Sequence, residues 1–101
     1  MPGETSIAMV VGVLQMRLVL RDAASLKDKR RIVRSLRDRI RHEFNVSASE
    51  VDELDRWQTA VLGVALATND RVFADRVLAK VVDLVRRSPA AQLADYEIEI
   101  L

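Results

Sequence analysis

Two long apolar runs constrain this chain more than any other feature. The first, "AMVVGVLQMRLVL", covers Ala8 to Leu20, and the second, "WQTAVLGVALA", covers Trp57 to Ala67. A membrane-spanning helix needs about 20 apolar residues, so neither run qualifies. Each suits a long β-strand, in which successive side chains point to opposite faces. In the first run Val10, Gly12, Leu14, Met16, Leu18 and Leu20 make the better core face. Met9, Val11, Val13, Gln15, Arg17 and Val19 make a mixed one. In the second, Ala60, Leu62, Val64 and Leu66 read as core, with Trp57, Thr59, Val61, Gly63 and Ala65 opposite. Two strands this long and apolar belong at the centre of a sheet.

The segments between them supply the rest. Ser25 is suited to cap a helix, and Asp28 lies in the first turn, where the helix dipole favours negative charge. Leu26, Val33, Leu36, Ile40 and Phe44 recur at helical spacing, which predicts a helix over 26–43. "NVSASEV" is a short β-prone piece, and the acidic turn "DELDR" joins it to the second long strand as a hairpin. Asn69 is expected to cap a second helix whose apolar face is Phe73, Val77, Val81 and Leu84, and Pro89 prevents its continuation. "DYEIEIL" closes the chain as a strand. The order is β-α-β-β-α-β, the split or ferredoxin-like α+β arrangement. Right-handed crossovers place both helices on one face of a four-stranded antiparallel sheet. Residues 1–7 read as a flexible leader and 8–101 as one domain, a size that hides roughly 65% of the unfolded chain's surface.

Charge is unevenly placed. The net value is +1 over 101 residues, yet "SLKDKRRIVRSLRDRIRH" holds eight of the sixteen lysines and arginines. Lys27, Arg30, Arg34, Arg37 and Arg41 are spaced to fall in one stripe along the helix, with no carboxylate inside it. Each neighbouring like-charge pair destabilises an isolated helix by about 0.2–0.5 kcal/mol. A solvated face chosen for helix propensity would give this pattern. So would a polyanion site, since phosphates need cations in a row and little else. Arginine's fork suits phosphate, although arginine dominates throughout a chain with only three lysines.

The set "SLKDKRR", "FNVS", "EVD", "WQ", "LGVA" and "ND", with "MVVGVLQMRLVL" and "DYEIEIL" at the ends, resembles the YlxP-like family of small bacterial proteins. The resemblance spans residues 8–101. It implies a ferredoxin-like fold and no particular activity. Members are often encoded beside translation and ribosome-maturation factors, which implies an RNA or ribosome connection.

Other chemistry finds little footing. There is no cysteine, which excludes disulfides and thiolate sites and suits a reducing compartment. His42 is the sole histidine, and no serine has an obvious base partner, so no catalytic residue is expected. Glu50, Asp52, Glu53 and Asp55 lack the ligand order of a calcium loop and read as a solvated turn. No metal, cofactor or membrane contact is expected, and a cytoplasmic location is. The sheet face away from the helices should expose Met9, Val11, Val13, Trp57 and Val61, a patch suited to self-association. The functional expectation is a non-enzymatic module that binds RNA or the ribosome through Lys27, Arg30, Arg34, Arg37 and Arg41. The alternative is a homo-oligomeric protein-interaction module.

Overall fold

The computed structural model describes residues 6–101. The first five residues of the expected leader lie outside this range, and Ser6 and Ile7 are exposed. The elements are β1 (Val10–Val19), α1 (Leu26–Glu43), β2 (Ser47–Asp52), β3 (Thr59–Thr68), α2 (Arg71–Arg86) and β4 (Gln92–Ile100). The strands form one sheet in the order β2-β3-β1-β4, with every neighbouring pair antiparallel. This is the ferredoxin-like α+β fold, and the two long apolar strands are the central ones.

Alternation holds along both. Leu14, Met16, Leu18 and Leu20 of the first run are fully buried, as are Ala60 and Leu62 of β3. They form a single core with Val33, Leu36 and Ile40 of α1 and Ala74, Leu78, Val81, Val82, Leu84 and Val85 of α2. Each such aliphatic side chain contributes roughly 1.5–3 kcal/mol on burial. Both helices therefore cover the same face.

The expected inward side of α2 needs correction. Phe73 is exposed and Val77 only partly buried, whereas Ala74 and Leu78 are fully buried. The cause lies in β1. A Cβ built on Gly12 would come within 3.0 Å of Leu78 Cδ1 and 3.2 Å of Ala74 Cβ. The helix is seated against bare backbone there, and a small side chain fits where Phe73 would not. The helix cap also moves by one residue. Asp70, not Asn69, is the N-cap, and its Oδ1 accepts from the Val72 and Phe73 N–H groups at 2.9 and 3.1 Å.

Two bulges interrupt the edges. Between β2 and β3 the register moves from Glu50↔Leu62 to Asp52↔Val61, leaving Val51 as the extra residue. Between β1 and β4 it moves from Arg17↔Asp95 to Leu18↔Leu93, leaving Ala94. Bulges of this kind blunt exposed sheet edges.

Candidate polyanion interface

Helix α1 begins as its sequence implies. Ser25 Oγ accepts from the Asp28 N–H at 3.1 Å, and Asp28 Oδ2 accepts from the Ala24 N–H at 3.1 Å. The side chains it buries are Lys29, Val33, Leu36 and Ile40. The cationic positions Arg30, Arg34, Arg37 and Arg41 each follow one of these by a single residue. One residue is about 100° of helix rotation, so the row lies on a flank rather than on the crest. The flank overhangs β2: Arg41 Nη2 donates to the Ala48 carbonyl at 2.9 Å.

The five expected cations separate into two groups. Lys27, Arg30 and Arg34 are exposed and, among the described residues, have no ion-pair or hydrogen-bond partner. Arg37 is half-buried and donates from Nε and Nη2 to Asp38 Oδ1 at 3.2 and 3.1 Å. Arg41 is committed to β2 as described. Arg31, which the stripe omitted, stands beside the free group: Lys27, Arg30, Arg31 and Arg34 line a groove of about 420 Å³. Its contact with Asp28 at 3.2 Å is an exposed pair worth little. Next to this groove, Arg30, Val33, Arg34, Arg37 and Glu50 line a smaller one of about 200 Å³.

Lys29 is the residue that stripe-reading missed. It is completely buried, its Nζ lies 2.7 Å from Glu50 Oε2, and it donates to the Glu53 carbonyl. Burying an ammonium group is tolerable only when it is paired and hydrogen-bonded. The contact with Glu50 Oε2 is Coulombic, off the line of a hydrogen bond. Glu53 stands in the left-handed region at φ 56°. Its Oε1 accepts from Arg17 Nη1 at 2.9 Å, while Oε2 is buried without a hydrogen-bond partner among the described residues. The acidic turn is thus not simply solvated: Glu50 and Glu53 form the anionic side of a clamp around Lys29 and Arg17. The spacing 29, 33, 36, 40 held the missing signal. It puts Lys29 in line with the apolar stripe, where a lysine needs a carboxylate from elsewhere in the chain.

The open sheet face differs from expectation. Val61 is only 1% exposed, between register partners Arg17 and Asp52, and offers no contact surface. Val11 and Val13 are half-buried, while Met9 and Trp57 are exposed. The last two are not neighbours. Val10 pairs with Thr68 and Val19 with Thr59, so Met9 and Trp57 lie at opposite ends of the sheet. Ten residues of strand separate them, roughly 30 Å. Between them the β1–β4 side of the face is polar, while Val51 lies half exposed over Gly63 on the β2–β3 side. Gln15, Arg17, Asp95, Glu97 and Glu99 are exposed, and the register places Glu97 beside Gln15 and Glu99 beside Val13. The continuous apolar patch therefore does not form. His42 is exposed near the end of α1. Among the described residues, no helix is long and apolar enough to cross a membrane.

Together these features define a small ferredoxin-like protein with a cationic flank on its first helix and an acidic row on its open sheet face. Residues 11–98 match the family described as "Protein of unknown function (DUF503)", and the chain belongs to it. It is 31% identical over 80 residues to a protein of Bacillus subtilis (strain 168) described as "Uncharacterized protein YlxP", covering 79% of this chain and 87% of that one. Among solved structures it is similar to "De novo designed protein Foldit4", with a TM-score of 0.53 and 15% identity over 92% of this chain and 96% of that chain. That likeness concerns the fold alone.

Proposed function

We propose that this protein is a small non-enzymatic binding module that contacts RNA, in a ribosomal setting, through the phosphate backbone. One observation carries the reading: Lys27, Arg30, Arg31 and Arg34 line a single groove, and among the described residues only Arg31 of the four has a carboxylate partner. Unneutralised cations in a row attract a polyanion and release its counterions on binding. The acidic row Asp95, Glu97 and Glu99 repels phosphate from the sheet face, so the helix side is the one approached. Few groups nearby can read base edges, and sequence preference is accordingly weak.

The experiment is a salt titration of binding to a short single-stranded RNA, followed by fluorescence anisotropy. Three to four phosphate contacts give log K against log salt a slope of about −2 to −3, since each contributes about −0.7. The pair Arg30→Glu and Arg34→Glu is expected to abolish binding with the circular dichroism spectrum unchanged. Affinity that ignores both salt and charge reversal would refute the proposal. Self-association is the competing reading, and it now rests mainly on the exposed Trp57.

A further inference from the structure

On the other flank of α1 lies a second concavity. Ile32, Ser35 and Arg39 each precede a buried helix position by one residue, so they point toward α2 rather than β2. With Arg31, Leu36 and the turn Ser88–Ala91 they line an open slot of about 350 Å³. Its floor is apolar, formed by Ile32, Leu36, Pro89, Ala90 and Ala91. Its polar groups are few and fixed: Arg39 Nη1 donates to Ser88 Oγ at 3.2 Å, and Ser88 Oγ donates to the Leu84 carbonyl at 3.2 Å. An apolar concavity of this size with a few oriented polar atoms is the usual form of a small-molecule site.

Arg31 lines this slot and also the cationic groove. The two cavities therefore adjoin at one residue. A ligand suited to both carries phosphates with a partly apolar group beside them, as a nucleotide does. Single-stranded RNA has that form, whereas duplex RNA keeps its bases stacked inside and presents mainly backbone. Arginine planes can take the part of aromatic rings in stacking on an unpaired base, and Arg31 and Arg39 both line the slot. We infer that the protein binds single-stranded RNA with its phosphates on Lys27, Arg30 and Arg34 and one unpaired base in the slot between α1 and the α2–β4 turn. This inference rests on the RNA reading above and narrows it to unpaired strands.

The test compares three probes by anisotropy: a single-stranded RNA 12-mer, the same strand annealed to its complement, and an abasic strand of equal length. Two variants, Ala90→Leu on the turn and Ser35→Leu on α1, fill the slot without altering charge. Circular dichroism checks the folding of each. The wild type is expected to prefer the 12-mer over the other two probes by about tenfold, the effect of stacking one base. Each folded variant is expected to bind the 12-mer only as well as the abasic strand, with its salt slope unchanged. Equal wild-type affinity for all three probes would overturn the slot and leave the phosphate reading standing. So would a full preference for the 12-mer retained in both variants. No salt-dependent binding to any of the three would overturn both.

Discussion

Lys29 and Arg30 are consecutive cations that the fold sends to opposite environments. Lys29 is sealed beneath the β2–β3 turn against Glu50 and Glu53, while Arg30 stands free in the groove. Other residues at this end of the sheet are structural too. Ser25 caps α1, and Gln58 Nε2 donates to the Arg21 carbonyl at 3.3 Å, tying the β1–α1 loop to β3. Glu53 keeps its positive φ because Lys29 holds its carbonyl and Arg17 its carboxylate. Removing one member of a buried ion pair costs about 3–5 kcal/mol. Glu50 retains 14% exposure, so Lys29→Ala is expected near the low end, about 3 kcal/mol by urea unfolding. Lys29→Met combined with Glu50→Gln should recover most of that loss, because no buried charge is then left alone. A loss below about 1 kcal/mol in the single variant would mean that the clamp is not formed.

Helix α1 is three-sided because adjacent positions differ by about 100°. Its buried edge faces the sheet, the flank one residue later overhangs β2, and the flank one residue earlier faces α2. Period and spacing alone located the first two sides. The third became visible only with the Ser88–Ala91 turn set beside it. Helix α2 shows the limit of periodicity more sharply. Its apolar residues allow more than one inward direction, and Gly12 on β1 selects the one that buries Ala74. Gly12→Val should therefore wedge the helix off the sheet, costing about 1–3 kcal/mol as overpacking does. In a domain of this size that is a fall in Tm of at least about 4 °C. Gly63→Ala is the contrasting case. Its added methyl meets Val51 Cγ1 at 2.9 Å, but Val51 is half exposed and can rotate away. The expected change is below that of Gly12→Val in the same calorimetric scan.

The molecule has a cationic helix side and an acidic, mostly polar sheet side, with a sheet between them. Events on the two sides should be separable. Trp57→Glu, at the sheet end that also carries exposed Val51 and Leu54, is expected to leave RNA affinity unchanged. Arg30→Glu with Arg34→Glu is expected to leave the scattering mass unchanged at micromolar concentration. If Trp57→Glu lowers the scattering mass and RNA affinity together, assembly and RNA contact share a surface and the two-sided reading is wrong.

Local chemistry made the element order, both central strands, the α1 cap and the cationic row legible in the chain. Each depends on residues within about one helical turn or on strict alternation. The partners of those cations were not legible. Arg17 meets a residue 36 positions away and Lys29 one 24 positions away, and no periodicity reports such distances. Nor could alternation show that Val61 is covered, that Met9 and Trp57 sit at opposite ends of antiparallel strands, or that a turn after α2 walls a slot beside Arg31. Those outcomes come from register and close approach, which exist only once the sheet has paired and the helices have settled on it.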